Sequence, residues 1–185
     1  MLFRSKTGEA KLTNAVTKGT WAVGEPGGNA IQAVDEAKGL VYFKANEKSS
    51  TERHLYVIKL DGSGMKRLSE EAGAHSIEFN DAGTYYTDSY SNITTPSALR
   101  LHSADGKRAQ ELAPANVQAA APYNLQYPSL FTIAVDKDFQ MPAQILKPRD
   151  FDAQKRYPVI IYVYGGPSVP NVINGWQDRK STRLN

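Results

Sequence analysis

The sequence predicts a mostly β fold in two parts: about two blades and a remnant of a partial β-propeller, then a second unit that opens with short strands. Two observations predict this arrangement. One is an internal repeat with a period of 44 residues, in which each copy reads as strands joined by turns. The other is the run "YPVIIYVYGG" (157–166), whose unbroken apolar stretch is typical of a strand buried on both faces.

Composition narrows the class of protein. The chain has 185 residues, of which 41% are hydrophobic and 22% charged, enough apolar material for a core. It has no cysteine, which excludes disulfides, thiolate catalysis and zinc–cysteine sites. The net charge is +3, and Arg179, Lys180 and Arg183 in the last eight residues supply much of it. No basic cluster remains to bind a nucleic acid.

The repeat carries the propeller prediction. Its two copies align without a gap: "VDEAKGLVYFKAN" (34–46) with "EFNDAGTYYTDSY" (78–90), and "HLYVIKLDGSGMKRL" (54–68) with "ALRLHSADGKRAQEL" (98–112). The Asp-Gly pairs at 61–62 and 105–106 indicate hairpins, because glycine tolerates the positive φ of a tight turn. Four strands in 40–50 residues are typical of one propeller blade.

The residues before 34 predict the remnant of another blade. "KTGEAKLT" (6–13) reads as a turn and a short strand, and "GTWAVGEPGGNAIQAV" (19–34) supplies an inner strand. The chain is therefore predicted to begin inside a structural unit, and it is expected to be a piece of a longer protein. A generic antiparallel sandwich is the alternative, since propellers need about 4–8 blades to close. Residues 1–115 are assigned to the blades.

A second unit follows the blades. Residues 116–129 are rich in alanine, proline and asparagine and are predicted to form a linker. Two short apolar strands, 130–136 and 142–148, are predicted to form a hairpin through Asp-Lys-Asp. The buried strand 159–164 then ends at Gly165, which places Tyr164 at its carboxyl end, where open α/β sheets build their sites.

Taken together, these motifs resemble the prolyl oligopeptidase family of serine peptidases and, within it, the dipeptidyl peptidase IV-like subgroup. "YPVIIYVYGGPSVP" after a hairpin and propeller blades carries the resemblance, which covers roughly residues 5–177. It implies a propeller that caps an α/β-hydrolase domain, so that 130–177 is the start of the peptidase domain. It also implies acyl transfer through a serine, histidine and aspartate that releases N-terminal dipeptides, often after proline or alanine.

The resemblance assigns a role to one side chain. The tyrosine before Gly-Gly-Pro is expected to donate its hydroxyl to the oxyanion, and here it is Tyr164. One such donor accelerates acyl transfer by about 10²–10³. Gly165 and Gly166 lack side chains and would let a substrate backbone approach closely. From the residues alone, Tyr164 is equally well interpreted as a core aromatic at a strand end.

The remaining catalytic groups are not expected in this chain. It has no Gly-x-Ser-x-Gly elbow, and Ser168 in "GPSVP" is rejected as a nucleophile because a proline stands where a small residue is needed. His54, His75 and His102 are predicted to be strand or turn residues. The chain is therefore expected to be an inactive fragment that uses no metal and no cofactor. Its last residues, 178–185, are interpreted as a foreign or divergent tail.

The resemblance also bears on partners. It implies a peptide substrate and no nucleic acid, and it leaves open a homodimer for the whole protein. The compartment is not determined, although the subgroup is often periplasmic, secreted or membrane-tethered. Two other functions stay open: a non-catalytic β-propeller that binds a protein or peptide, and another member of the family, an oligopeptidase or acylaminoacyl peptidase.

Overall fold

A computed structural model of the chain describes residues 1–5, 8, 11–24, 28–163 and 170–176. The N-terminal remnant is a two-stranded antiparallel sheet of β1 (Phe3–Ser5) and β2 (Leu12–Ala15). The Leu2 carbonyl oxygen accepts from the Val16 N–H at 2.9 Å, which extends this pairing. The predicted short strand is confirmed and begins at Leu12. Most of the turn predicted before it lies outside the described residues.

The first blade (31–67) is a four-stranded antiparallel sheet in which each strand pairs with the next along the chain. Its inner strands are rich in β-branched and aromatic residues, which suit a sheet packed on both faces. The strands are β3 (Ile31–Asp35), β4 (Leu40–Ala45), β5 (His54–Lys59) and β6 (Lys66–Arg67).

The second blade (74–113) repeats this order. Its strands are β7 (Ala74–Phe79), β8 (Tyr85–Asn92), β9 (Thr95–Ser103) and β10 (Arg108–Ala113). A shift of 44 residues superimposes every strand of the first blade on its counterpart here, so the repeat corresponds to one blade. The prediction of four strands per repeat is confirmed, and the up-and-down order is that of propeller blades.

The core lies between successive sheets, since neighbouring residues of one strand point to opposite faces. In β4, Phe43 faces the N-terminal remnant and Tyr42 faces the second blade. Both side chains are at most 3% exposed. The buried residues between the remnant and the first blade are Val16, Val41, Phe43, Ala45, Tyr56 and Ile58. Those between the two blades are Tyr42, Leu55, Leu68, Ile77 and Tyr86.

The predicted linker and hairpin follow. The linker contains one helical turn, α1 (Val117–Ala120), which continues into a short 3-10 helix (Ala121–Tyr123). The hairpin consists of β11 (Ser129–Ala134) and β12 (Gln140–Ile145), which pair in continuous register. Asp136 Oδ1 closes the turn by accepting from the N–H groups of Asp138 and Phe139 at 2.9 and 2.8 Å. The hairpin prediction is confirmed with slightly shifted bounds.

The prediction of a buried strand at 159–164 is wrong for its described part. Residues 159–163 form no strand, and their side chains are 74–80% exposed. A strand requires neighbours that accept its backbone hydrogen bonds. No described strand pairs with residues 159–163. The preceding strands β11 and β12 pair only with each other. The apolar run predicts a strand only if neighbouring strands and buried surroundings are present, and no described sheet provides them here.

Candidate functional site

The residues predicted to form the oxyanion site, Tyr164, Gly165 and Gly166, lie outside the described residues. The described chain resumes at Pro170, and the segment 170–176 lies against the two blades. Its contacts show how the chain that follows Tyr164 is held. A cluster of polar side chains lies beneath this anchored segment.

Asn174 joins the segment to both blades. Its backbone N–H donates to the Thr51 carbonyl oxygen at 2.7 Å, in the loop between β4 and β5. Its side-chain Nδ2 donates to Glu52 Oε1 at 3.1 Å in the same loop. Its Oδ1 accepts from the Ile93 N–H at 3.3 Å, in the hairpin between β8 and β9. One residue thus bridges the equivalent loops of adjacent blades.

The two residues after Asn174 complete the attachment. The Trp176 N–H donates to Ser91 Oγ at 3.1 Å, and its indole packs on the Tyr127 ring at 5.9 Å between centroids. Gly175 is buried, and a Cβ at this position would lie 3.1 Å from the Ala74 Cβ. A larger residue at 175 would press the segment away from the second blade. The attachment therefore depends on backbone proximity as well as on hydrogen bonds.

A buried polar chain supports Asn174 from below. Glu52 Oε2 lies 3.0 Å from His54 Nε2, and His54 Nδ1 lies 2.9 Å from Ser69 Oγ. Ser69 Oγ also accepts from the Leu55 N–H at 3.0 Å. Because the Glu52 carboxylate can only accept, the proton of the neutral imidazole lies on Nε2, and the Ser69 hydroxyl donates to Nδ1. Every polar atom of the His54 ring is satisfied.

The second blade carries a parallel arrangement next to the first. His75 Nδ1 lies 2.8 Å from Asp88 Oδ2, and its Nε2 lies 2.9 Å from the Glu71 carbonyl oxygen. The His75 ring packs between the rings of His54 and Tyr90, at 5.1 and 5.0 Å between centroids. The contact between the His54 and His75 rings therefore joins the two blades directly under the anchored segment.

Ser69, His54 and Glu52 have the composition of a hydrolytic triad, but their burial argues against that role. A nucleophile must reach a substrate carbonyl, whereas Ser69 is 4% exposed and His54 is fully buried. Their hydrogen bonds instead join β5 to the residues that follow β6. His102, in β9, stacks on Tyr86 at 5.0 Å. All three histidines are strand residues, as predicted.

Protonation of His54 is expected to destabilise the fold. Burial lowers the pKa of His54, and its contact with Glu52 opposes that effect only partly. The unfolded chain, with a histidine pKa near 6.5, then binds the proton more readily than the folded chain. The free energy of unfolding should fall as the pH drops through about 6.5. Thermal melts between about pH 7.5 and 5.5 should show a steeper loss for the wild type than for His54→Gln. Equal slopes would contradict this account.

The described part of the chain offers neither a metal site nor a membrane-spanning helix. No group of three or more histidine, aspartate or glutamate side chains there is arranged to hold a metal ion. Among the same residues, no helix has the length and apolar character needed to cross a bilayer.

Comparison with known proteins places this arrangement in a family. Residues 1–97 match the family described as the dipeptidyl peptidase IV N-terminal region, which covers both the remnant and the first blade and most of the second. The chain belongs to the dipeptidyl peptidase IV family. The dipeptidyl peptidase IV family resemblance inferred from the motifs is thereby confirmed, and so is the propeller fold.

The similarity extends beyond the matched region. Dipeptidyl peptidase 8 of Homo sapiens is 30% identical over 179 residues, which cover 92% of this chain and 20% of that protein. A probable dipeptidyl-aminopeptidase B of Tuber melanosporum is 33% identical over 167 residues, 85% of this chain and 17% of that protein. The crystal structure of Porphyromonas gingivalis dipeptidyl peptidase 4 superimposes with a TM-score of 0.77 at 26% identity, over 90% of this chain and 23% of that one. The chain thus spans about a fifth of the length of these dipeptidyl peptidase IV family members.

Sequence reasoning did not find the anchor. It treated 170–177 as an unremarked continuation of the peptidase domain and did not single out Asn174, Glu52 or Ser69. The Asn-Gly pair at 174–175 carries a local turn signal only. Its partners lie as far as 123 positions away along the chain, at Thr51, so no local pattern could have indicated them.

Proposed function

We propose that this chain is the propeller–hydrolase junction of a serine exopeptidase that releases dipeptides from peptide N-termini, after proline or alanine. The observation that carries the proposal is the extent of its similarity to a dipeptidyl peptidase, 92% of the chain in the human protein. That extent reaches past the propeller region matched at 1–97 and includes the hairpin of β11 and β12. A propeller shared with unrelated binding proteins would not need these later residues.

The proposed chemistry assigns one step to this chain. When a serine attacks the scissile carbonyl, negative charge develops on the carbonyl oxygen. A fixed hydroxyl donor stabilises that charge where water is excluded. We assign this donor to Tyr164, with Gly165 and Gly166 leaving room for the substrate backbone. The nucleophile, its histidine base and the aspartate are assigned to parts of the protein other than this chain.

The chain by itself is expected to show no turnover. Its sequence has no Gly-x-Ser-x-Gly elbow, and its one serine–histidine pair in the described residues is buried. Incubation with Gly-Pro or Ala-Pro p-nitroanilide should release no more nitroaniline than buffer does. Measurable hydrolysis that persists after repurification would overturn the assignment of the catalytic groups to other parts of the protein.

The full-length protein tests the proposed activity. Release of p-nitroaniline from Gly-Pro p-nitroanilide, together with no release from its N-acetylated form, supports dipeptide removal that requires a free amine. Equal cleavage of the acetylated substrate would indicate the oligopeptidase or acylaminoacyl peptidase alternative instead. No cleavage of either substrate by a folded protein would favour the propeller that only binds a partner. A serine-directed fluorophosphonate probe, which should label the active protein, separates a serine mechanism from others.

A further inference from the structure

We propose that Asn174 is a positioning residue that holds the Tyr164 segment in register with the propeller. The proposal rests on the proposed function, because it concerns the placement of the oxyanion donor. It adds a residue that acts through Tyr164 without touching the substrate. Three features carry it: the number of groups that Asn174 engages, the rigidity of its partners, and its place along the chain.

Asn174 engages three of its own polar groups with two different blades. Thr51 and Glu52 belong to the first blade, and Ile93 belongs to the second. These partners lie 81 to 123 positions away along the chain, so the contacts join distant parts of the sequence. A hydrogen bond to a carboxylate is stronger than one between neutral groups, and Glu52 is mostly buried. The attachment is therefore specific in geometry and not a general surface contact.

The group on the first blade that binds Asn174, the Glu52 carboxylate, is held in place by a chain of hydrogen bonds. Glu52 is held by His54, which is held by Ser69, and Ser69 is held by the Leu55 N–H in the middle of the first blade. These three residues are at most 9% exposed. Since each member is fixed by the next, the carboxylate that meets Asn174 loses little freedom when the segment binds. A rigid supporting shell of this kind is what keeps a functional group in place.

The place of Asn174 along the chain connects the anchor to the proposed chemistry. It follows Tyr164 by ten residues, with Pro170 restricting the backbone between them. Residues 159–163, which precede Tyr164, pair with no described strand. Asn174 is thus the first residue after Tyr164 with side-chain hydrogen bonds to the blades among the described ones. A displacement of about 1 Å in a catalytic group can cost on the order of 10²-fold in rate.

The test measures kcat and KM for Gly-Pro p-nitroanilide in the full-length protein. Asn174→Ala is expected to lower kcat by about tenfold, with KM nearly unchanged. The matched control is Asn80→Ala, at the other end of β8. Asn80 Oδ1 accepts from the Thr84 and Tyr85 N–H groups at 2.9 and 3.0 Å, so the control also loses hydrogen bonds within a blade. Asn80→Ala should leave kcat unchanged, whatever it does to stability.

Two combined variants separate positioning from a general loss of structure. If Asn174 acts through Tyr164, Asn174→Ala should cost little further kcat in a Tyr164→Phe background. The exchange of roles, Glu52→Gln with Asn174→Asp, places an amide donor on the blade and a carboxylate on the segment. This pair should recover most of the wild-type kcat, whereas Asn174→Asp alone should be the poorest variant because two carboxylates then face each other. Additive losses, or no recovery in the exchanged pair, would overturn the proposal.

The outcomes distinguish this proposal from the proposed function. A large effect of Tyr164→Phe with none of Asn174→Ala overturns only the positioning role. A folded wild-type protein without turnover overturns both the function and the role. Hydrogen exchange reads the anchor without activity: peptides that contain Ile93 and Trp176 should exchange faster in Asn174→Ala than in Asn80→Ala. Unchanged exchange in both peptides would overturn the anchor itself.

Discussion

Replacing Tyr164 with phenylalanine in the full-length protein is expected to lower kcat by about 10²–10³, with KM little changed. The substitution removes one hydroxyl and keeps the ring, so it should leave packing intact. The lost hydrogen bond matters chiefly when charge develops on the carbonyl oxygen, so its loss should fall on the chemical step. Steady-state kinetics with Gly-Pro p-nitroanilide measure both constants, and a burst assay shows whether acylation is the step that slows.

The same substitution at a neighbouring tyrosine is the control. Tyr162 lies in the same apolar run and is 80% exposed. Tyr162→Phe should keep the wild-type kcat, because no role in stabilising charge is assigned to its hydroxyl. If Tyr164→Phe also keeps the wild-type kcat, the oxyanion role assigned to Tyr164 is wrong, and the tyrosine is better interpreted as a core aromatic.

Gly73→Ala is expected to destabilise the chain by about 2–4 kcal/mol. Gly73 has a φ of +155°, and a Cβ there would overlap the Ser91 carbonyl oxygen and lie 2.8 Å from the Tyr90 ring. Its own carbonyl oxygen accepts from the Arg53 N–H at 3.1 Å, where the two blades bridge. The added methyl group would therefore have to displace backbone. Equilibrium urea denaturation, followed by circular dichroism, measures the change.

Gly83→Ala separates backbone strain from crowding. Gly83 also has a positive φ, +64°, but a Cβ there would meet no atom within 4 Å. Its substitution should cost only about 1 kcal/mol, the strain of a left-handed conformation. Equal destabilisation by the two substitutions would show that crowding around a Cβ at position 73 adds nothing to the cost of backbone strain.

The buried cluster in the first blade shows why burial must be weighed with geometry. Ser69 lies within hydrogen-bonding distance of His54, and His54 of Glu52, as in a catalytic triad. Because these residues are buried, their hydrogen bonds stabilise the fold and are not available to a substrate. The histidine links the serine hydroxyl to the carboxylate and fixes both. The carboxylate then presents its second oxygen to Asn174. A polar network inside a propeller thus becomes the support for a segment outside it.

The blades could be predicted because their signals are local. The β-branched and aromatic residues of β4 and β5 and the turns at Asp61-Gly62 and Asp105-Gly106 act over a few residues, and each of these signals occurs again in the second copy of the repeat. The hairpin of β11 and β12 was predictable for the same reason, since Asp136 closes its turn through neighbours in sequence. Strand identity and order therefore follow from short-range preferences that agree with one another.

The run at 159–163 and the anchor at Asn174 depend on distant groups. An apolar run becomes a strand only beside other strands, and its five side chains are exposed where no described strand lies alongside. Asn174 is one asparagine among several, and only the fold brings the Glu52 carboxylate and the Ile93 N–H to opposite ends of its amide. Neither outcome can be read from the neighbours of these residues in sequence.

By itself, then, the amino-acid sequence determined the repeat, the strands within it and the turns between them, since these rest on β-branched and aromatic content and on turn chemistry over a few positions. The tertiary structure alone decided that His54 and His75 are enclosed between blades, and that the segment after Tyr164 is tied to both. The physical reason is that burial and hydrogen-bond pairing are properties of groups far apart in the chain, which come together only when whole sheets pack.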